Sequence, residues 1–582
     1  MSDHDEMSSV DIEVTVADTP EEVELPTTAR RRSSELQHDG RGLQVKSTTW
    51  LCTKSLVKQV VFAASIGSFM FGFNLALLNT SLSSIGTELW PCSGADLDIP
   101  VGCAPYLPDL TVCYPGGACQ VDGSKVCDPP TPLDCSDARW YNTLTTTAVF
   151  LGAAVGAILA GRQLSRGRRK LMLQANVLFL FTTVCMCVSN SFAALVWARL
   201  VAGVGVGVIS AVVPTYMAEM TPHDRRGKYG VSHQLMVTVG IFVAVLLGLP
   251  LPASEYSVLS VTGSDVLAVA EPNTFSKVWW RLMLGLNAVP VLLSLLFFVK
   301  VFKFETPMWY MEKGNAAAAR SVLEVTVGPE EVDDEFEELN EGIKQQSKHM
   351  VPTMELFSER HHRIVLAVGL GIAAFQQFTG INIFVASSNV VFGQAGVSDQ
   401  TATSMSVIMS ALNVVMTLPA MYLIEKLGRR TLLLIGVTGQ IVGVLPAMIL
   451  LWAYPDANAT QWLQIVGVFV FVVFFAVGYG PVLWVYLFEI FPVEIRDKAI
   501  GLAVSVNWIA GIVMVFIGNV LSDNRISYTL FVSLNCLALL LIFLFVKETK
   551  NRRLTDSPYA AKTGDGPVGM PLLEVEVEDL AE

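Results

Sequence analysis

Charged residues are scarce in this sequence. Of its 582 residues only 16% are Asp, Glu, Lys or Arg, whereas 52% are hydrophobic, and the mean hydropathy is +0.50. That scarcity excludes an ordinary water-soluble globular protein, and the net charge of -13 argues against a nucleic-acid partner. We therefore predict an integral membrane protein.

The first 45 residues lack the apolar run of a secretory signal peptide and carry 11 acidic and 4 basic residues. We expect a disordered tail there and a first membrane span that acts as the signal anchor. A membrane-spanning helix needs roughly 20 mostly apolar residues. Twelve such stretches begin near Val60, Trp140, Leu171, Phe192, Gly230, Leu282, Ile364, Ser404, Thr431, Trp462, Ala499 and Tyr528.

The short loops between these spans differ in charge. The loops at 161–170, 214–229, 425–430 and 489–498 together carry 13 Lys and Arg residues. By the positive-inside rule these loops and both termini are cytosolic. The sequon at Asn458 then lies outside, and the plasma membrane is the predicted location, because no sorting signal is evident.

Six of the ten cysteines lie in the single large loop 89–138, which the charge rule places outside the cell. An oxidising compartment and the absence of neighbouring histidines favour three disulfides over zinc, with 15 possible connectivities. The cysteines are Cys92, Cys103, Cys113, Cys119, Cys127 and Cys135.

The chain divides into two halves that resemble each other. The predicted segments are a tail at 1–55, six spans at 56–304, a linker with short helices at 305–362, six spans at 363–547 and a tail at 548–582. Gly167 in "RGRRK" and Gly428 in "EKLGRR" occupy equivalent places, as do Glu219 and Glu489. Such a repeat predicts an all-α transporter of two pseudo-symmetric six-helix halves, with substrate bound between them.

The motifs "PTYMAEMTPHDRRG", "QQFTGIN", "GYGPVLWVYLFEIFPVEIR", "VNW" and "KETK", with "GRR" after the second and eighth spans, resemble the sugar porter family of the major facilitator superfamily. Within it, the sequence is most similar to the hexose transporters of apicomplexan parasites. The resemblance covers the membrane core and implies sugar transport by alternating access.

Amides inside the seventh span, in "QQFTGINIF", are the first candidate ligands. A carboxamide both donates and accepts hydrogen bonds, as a sugar hydroxyl does, without bringing a charge into the bilayer. Gly380 between the amides predicts a broken helix lining a cavity. Packing between helices is the competing interpretation of any single amide. The positions that match, or lie beside, sugar-contacting positions of the family are Gln234, Gln376, Gln377, Asn382, Asn389, Asn413 and Asn507.

Trp484 matches the family tryptophan beneath the sugar, where an indole face packs on the ring. Trp508 also matches a family position, for which packing is an equal explanation. Charged motifs form a second set, and in the family such charges meet on the cytosolic side and hold it shut. They are Arg168, Glu219, Arg226, Glu425, Arg429, Glu489 and Arg496, beside the anchoring arginines Arg169 and Arg430.

Four positions depart from the family pattern. Asn74 replaces the aspartate of proton-coupled members, so the resemblance implies a uniporter. Ala386 and Ser387 replace two tyrosines of the outer gate, which predicts a looser gate and a wider sugar range. Family members carry an aspartate after the second span, and this sequence has Leu164 or Ser165 in its place. We therefore predict that the charged contacts that hold the cytosolic side shut, here called the inner latch, are weaker.

The predicted function is a monomeric facilitative transporter of glucose-type hexoses, with fructose as a further substrate. No cofactor, metal or enzymatic chemistry is implied, since nothing resembles an activated nucleophile or a phosphate-binding loop. The glycines of "GVGVG", Gly203 to Gly207, are expected to allow close helix packing. A proton-coupled symporter, with His233 as the candidate titrating group, and a nontransporting sugar sensor are the alternatives.

Overall fold

The computed structural model describes residues 50–89, 119–121, 125–127, 136–222, 225–251, 256–261, 264–269, 274–327, 331–348, 357, 359–386, 388–394, 396–455, 457–520, 523–552 and 557–559. Its helices are α1 Trp50–Ala76, α2 Leu82–Leu89, α3 Ser136–Gln163, α4 Arg168–Cys187, α5 Phe192–Met220, α6 Arg226–Leu247, α7 Thr274–Leu286, α8 Ala288–Leu296, α9 Pro307–Glu312, α10 Ala316–Thr326, α11 Val332–Lys348, α12 Arg360–Phe378, α13 Ile381–Ala386, α14 Ser388–Gln394, α15 Asp399–Leu427, α16 Arg429–Ala453, α17 Asn458–Val477, α18 Tyr479–Ile490, α19 Arg496–Val520 and α20 Asn524–Phe545.

Twelve spans within the described residues are long and apolar enough to cross a membrane. Nine of them are built on α1, α3, α4, α5, α6, α15, α16, α19 and α20, and the other three are the pairs α7 with α8, α12 with α13, and α17 with α18. Each predicted start lies within eight residues of the observed one. The all-α membrane architecture is therefore confirmed, and two short antiparallel hairpins join it outside the spans. Their strands are β1 Cys119–Val121, β2 Lys125–Cys127, β3 Tyr256–Val261 and β4 Ser264–Val269.

The helices pack as two groups that meet along two seams. In the first group α5 contacts α1, α3 and α4, and α1 contacts α6; in the second, α12 contacts α19 and α20, and α16 contacts α17 and α20. The groups meet where α3 lies against α19 and where α6 lies against α15. Any site lined by α6, α12, α18 and α19 therefore lies between the two groups.

Close contact between α3 and α5 depends on glycine. A Cβ atom at Gly203 would clash with the carbonyl oxygen of Val149, and one at Gly207 would clash with that of Ala153. The expectation that the "GVGVG" glycines allow helices to pack closely is therefore confirmed at these two positions.

The seventh span is broken where the sequence predicted. α12 ends at Phe378 and α13 begins at Ile381, and Gly380 between them has a φ of 99°, which residues with a side chain rarely adopt. Asn535 of α20 donates to the carbonyl oxygen freed at Thr379 over 3.2 Å. The break thus places Asn382 on a separate short helix. A second break, at Gly478 between α17 and α18, was not predicted.

The polar stretch between the two groups folds into the short helices α9, α10 and α11. In the large loop that is predicted to lie outside, β1 and β2 place Cys119 and Cys127 in register across the hairpin. The side chains of all six loop cysteines lie outside the described residues, so the three disulfides stay a prediction.

Gly203→Ala should destabilise the protein by about 1–3 kcal/mol, because the added methyl group forces the backbones of α3 and α5 apart. The measurement is thermal unfolding in detergent. Gly393→Ala is the control, since a Cβ there meets no atom within 4 Å. Equal melting temperatures for the two variants would contradict the close-packing interpretation.

Candidate functional site

A chain of buried amides links α12 to α19. The Oε1 of Gln376 accepts a hydrogen bond from the Nδ2 of Asn507 at 2.8 Å, and the Nε2 of Gln377 donates to the Oδ1 of Asn507 at 2.9 Å. Asn507 also donates to the carbonyl oxygen of Ala373 at 2.7 Å. Asn507 therefore lies at the centre of the cluster, bonded to both glutamines.

The break in the seventh span extends this chain to a fourth amide. Asn382, on α13, donates through its Nδ2 to the Oε1 of Gln377. On the other side, the Nε2 of Gln376 reaches the carbonyl oxygens of Tyr479 and Gly480, at 3.3 and 3.4 Å, where α18 begins after its own break. The two interrupted spans and α19 thus converge on one amide cluster.

A contact from the other helix group completes the site. The Nε1 of Trp484 on α18 donates to the Oε1 of Gln234 on α6 at 3.0 Å. Phe71 and His233 both pack edge-on against the Trp484 ring, at centroid distances of 6.2 and 5.1 Å. Phe71 also packs on Trp508 at 5.2 Å. Aromatic faces and amides from both groups therefore adjoin each other where the groups meet.

Two of the predicted ligands make no hydrogen bond to this cluster among the described residues. Asn413 is buried in α15, and its Oδ1 has no hydrogen-bond partner among the described residues. Asn389 lies on α14, but its side chain is outside the description. The same holds for the side chain of Ala386 and for all of Ser387, so the looser outer gate stays a prediction.

The family model described as "Sugar (and other) transporter" matches residues 60–560. The chain belongs to the sugar porter family. This confirms the resemblance seen in the sequence, and because members of the family are transporters, it also confirms that the protein is not an enzyme.

Two similar relatives of this sugar porter are both called Hexose transporter 1. The one from Plasmodium yoelii yoelii is 35% identical over 506 residues, covering 86% of this chain and 92% of its own. The one from Toxoplasma gondii is 36% identical over 508 residues, covering 86% and 82%. Among solved structures, the proton:xylose symporter XylE bound to 6-bromo-6-deoxy-D-glucose has a TM-score of 0.69 at 22% identity over 86% of this chain and 98% of its own, which supports the fold.

The charged residues of this sugar porter gather at the predicted cytosolic end in two similar clusters. In the first helix group, Arg168 at the start of α4 bonds Glu219 at 3.0 Å and Glu312 of the linker at 3.0 Å. It also lies 3.7 Å from Asp497 of α19, in the other group. Arg168 is only 1% exposed, so its guanidinium is held by three carboxylates in place of water.

In the second group Arg429, at the start of α16, is the equivalent centre. It bonds Glu489 at 2.7 Å and Glu425 at 3.3 Å. The other oxygen of Glu425 accepts from the backbone N–H of Lys228 on α6 at 3.0 Å. Each cluster therefore makes one contact across the seam between the groups, through Asp497 in the first and Lys228 in the second.

Glu219 and Arg226 are seven residues apart, which would be two helical turns only if one helix continued through both, and it does not. α5 ends at Met220 and α6 begins at Arg226, so the two residues lie on different helices, and the same holds for Glu489 and Arg496. Arg226 instead donates to the carbonyl oxygen of Ala218 at 3.0 Å.

Arg496 likewise donates to the carbonyl oxygen of Phe491, at 3.1 Å. Leu164 is one of the two positions that replace the family aspartate, and its carbonyl oxygen accepts a hydrogen bond from Arg168 at 3.2 Å. Glu312 of the linker supplies a carboxylate to the same guanidinium, in a role comparable to that of Glu425 beside Arg429. Whether the inner latch is weaker stays a prediction.

A repeated Glu-Thr dipeptide also belongs to these clusters and was not predicted. It occurs as Glu305–Thr306 and as Glu548–Thr549. Thr306 donates to Glu219 at 2.6 Å and Thr549 to Glu489 at 2.5 Å. The preceding residue, Glu305, accepts from the backbone N–H groups of Arg169 and Lys170 at the start of α4. Burial raises the pKa of Glu305 despite these hydrogen bonds.

Glu548 makes the equivalent contacts with the backbone N–H groups of Arg429 and Arg430, at 2.8 and 3.0 Å. Anionic side chains are favourable at helix N-termini, where backbone N–H groups are unpaired. The signal was present in the sequence: "ET" follows both the sixth and the twelfth span.

A second missed residue is Arg199, which lies inside the fourth span. It is fully buried, and its Nη1 donates to the carbonyl oxygen of Asn74 at 2.7 Å. Its Nε and Nη2 have no hydrogen-bond partner among the described residues. In membrane proteins a charged residue inside an apolar run is by default a candidate functional position, and this signal also was available.

Arg429→Ala should destabilise the protein by about 3–5 kcal/mol, because the substitution leaves the carboxylate of Glu489 buried without its cation. Thermal unfolding in detergent measures this. Arg525→Ala is the matched control, since Arg525 pairs with Asp523 at the exposed end of α20 and should leave the melting temperature almost unchanged. Similar melting temperatures for the two variants would show that the buried cluster contributes little.

Proposed function

We propose that this protein is a facilitative transporter of glucose-type hexoses, which moves them down their gradient by alternating access. The observation that carries the proposal is the cluster of four amides, Gln376, Asn507, Gln377 and Asn382, beside the Gln234–Trp484 contact between the helix groups. The names of the similar relatives support the same class of substrate.

The chemistry of the cluster suits a neutral polyhydroxyl ligand. Each carboxamide offers donors and acceptors, so amides that bond each other in the unliganded site can exchange those bonds for sugar hydroxyls. The Oδ1 of Asn413, which lacks a partner among the described residues, is a further acceptor. The Trp484 face supplies an apolar surface for the C–H groups of the ring.

Contacts between the helix groups on both sides of the site support alternating access. On the predicted cytosolic side these are the contacts of Asp497 and Lys228 with the arginine-centred clusters. On the opposite side the Nδ2 of Asn79 donates to the carbonyl oxygen of Val385 at 3.0 Å and to the Oγ of Ser388 at 2.7 Å. Transport then requires the two sets to break in turn.

Uniport is the mechanism that the neutral residue at Asn74 favours. Its Nδ2 donates to the carbonyl oxygen of Met70 at 2.8 Å, and Arg199 contacts its backbone. With an amide at this position, no carboxylate is present there to take up a proton. His233 is the group on which proton symport would depend; it is buried and bonded through Nδ1 to Ser68 at 2.8 Å. We further propose a monomer in the plasma membrane with both termini cytosolic.

Uptake of labelled glucose by proteoliposomes tests the proposal. The protein should equilibrate glucose to the outside concentration, with or without an inward proton gradient. Gln376→Ala should reduce sugar affinity about tenfold, because one or two hydrogen bonds of about 1 kcal/mol each are lost. Asn176→Ala is the control: it removes a buried amide that bonds Ser294 at 2.8 Å, remote from the site.

Each departure from this result has a distinct meaning. Accumulation above the outside concentration, driven by the proton gradient, would overturn uniport and favour the symporter. Saturable glucose binding without uptake would favour the sensor. Equal uptake by Gln376→Ala and Asn176→Ala would remove the amide cluster from the sugar site.

Asn74→Asp should make glucose uptake sensitive to the proton gradient, because the new carboxylate sits on the residue whose backbone the Arg199 guanidinium contacts. The measurement is the initial rate at several outside pH values. Asn74→Ala separates the charge from the loss of the amide and should leave uptake independent of pH. A pH dependence equal in the two variants would show that residue 74 does not control coupling.

A further inference from the structure

A short segment of the C-terminal tail folds back onto the helix bundle. Ser557, Pro558 and Tyr559, here called the tail clasp, lie beyond the end of α20. Ser557 is nevertheless only 7% exposed, and its Oγ donates to the carbonyl oxygen of Ile490 at 2.6 Å. A hydroxyl of the tail is therefore buried against the end of a transmembrane helix.

Tyr559 anchors the other end of the clasp. Its Oη donates to the carbonyl oxygen of Phe545 at 2.6 Å, accepts from the backbone N–H of Lys547 at 3.0 Å and lies 3.1 Å from the Oη of Tyr486. Phe545 is the last residue of α20, as Ile490 is of α18. Carbonyl groups in the last turn of a helix lack intrahelical donors. The clasp supplies donors to two such carbonyls.

The clasp adjoins one of the arginine-centred clusters. Ile490 directly follows Glu489, whose carboxylate accepts from Arg429 at 2.7 Å and from Thr549 at 2.5 Å. The end of α18 is thus held from two sides, by the ion pair and by Ser557. Releasing the clasp would loosen the helix end on which Glu489 lies.

We propose that Ser557 is a phosphorylation site and that its modification releases the tail clasp. Ser557 precedes Pro558, which is the local sequence that proline-directed serine kinases accept. The donor is a nucleoside triphosphate: the Oγ of Ser557 forms a bond to the terminal phosphorus, the bond from that phosphorus to the leaving nucleoside diphosphate breaks, and the hydroxyl proton passes to a carboxylate of the kinase.

The product does not fit the docked position. The phosphorylated Oγ has no hydrogen to donate to the carbonyl oxygen of Ile490, and the modification adds a charge of about -1.5 to -2 at the negative C-terminal end of α18. Loss of a donor, steric bulk and an unfavourable charge at this helix end therefore act in the same direction. Ser557 is buried while the clasp lies on the helix bundle, so a kinase can reach it only after the clasp is released. Weakening the clasp should therefore speed modification.

The first test measures how fast the full-length protein, in lipid nanodiscs, is modified by a proline-directed serine kinase with ATP. Mass spectrometry follows the occupancy of Ser557. Tyr559→Phe removes the hydroxyl that contacts Phe545, Lys547 and Tyr486 and should speed modification at least about fivefold, the effect of losing one hydrogen bond of about 1 kcal/mol. Tyr422→Phe, at an exposed tyrosine of α15, is the control and should match the unaltered protein.

The second test measures hydrogen–deuterium exchange at the ends of α18 and α20 before and after modification. Exchange there should become about fivefold faster on phosphorylation. Ser557→Ala treated with kinase and ATP should show no further change, which assigns the effect to this residue. The proposal is overturned if Ser557 remains unmodified in both the unaltered protein and Tyr559→Phe. It is also overturned if phosphorylated Ser557 stays on the helix bundle, paired with Lys547, and hydrogen–deuterium exchange at the ends of α18 and α20 does not change.

Discussion

The structure depends on one constraint: a polar group inside a bilayer must find its partner within the protein, because no water is there to supply one. Breaking the seventh and tenth spans frees backbone groups at membrane depth. At Thr379 the freed carbonyl oxygen is bonded by Asn535, and beside the second break the Nε2 of Gln376 donates to the carbonyl oxygens of Tyr479 and Gly480 in the first turn of α18. Gln376 is also a candidate sugar ligand, so the hydrogen bonds beside the second break belong to both the fold and the site.

The same constraint organises the predicted cytosolic end, where buried arginines replace amides. Arg168 and Arg429 begin equivalent helices, and each is surrounded by carboxylates that arrive from distant parts of the chain. Glu305 and Glu548 bond the N-termini of these helices, and Thr306 and Thr549 bond the carboxylates. The two halves repeat this pattern because the repeat in the sequence preserves the donors and acceptors together.

The differences between sequence and structure have physical causes. Glu219 and Arg226 do not share a helix, because a loop separates α5 from α6, and spacing along a chain predicts contact only within one helix. Asn507 was predicted only to match, or lie beside, a sugar-contacting position; it lies at the centre of the amide cluster, since the crossing of α12 and α19 brings it between two glutamines. Arg199 and the Glu-Thr pairs are visible in the sequence as a charge inside an apolar run and as a repeated dipeptide, but their partners are set by tertiary contacts that the sequence does not contain.

What the sequence by itself determined is the number of spans, the repeat, the break at Gly380 and the neutral residue at Asn74. Each is local: apolar length, spacing and residue type are properties of short segments. The tertiary structure alone decided which residues are partners. Trp484 with Gln234, Arg168 with Asp497 and Ser557 with Ile490 are far apart in the chain. Such pairs meet only after the helices pack, because interhelical contacts depend on crossing geometry that no local pattern contains.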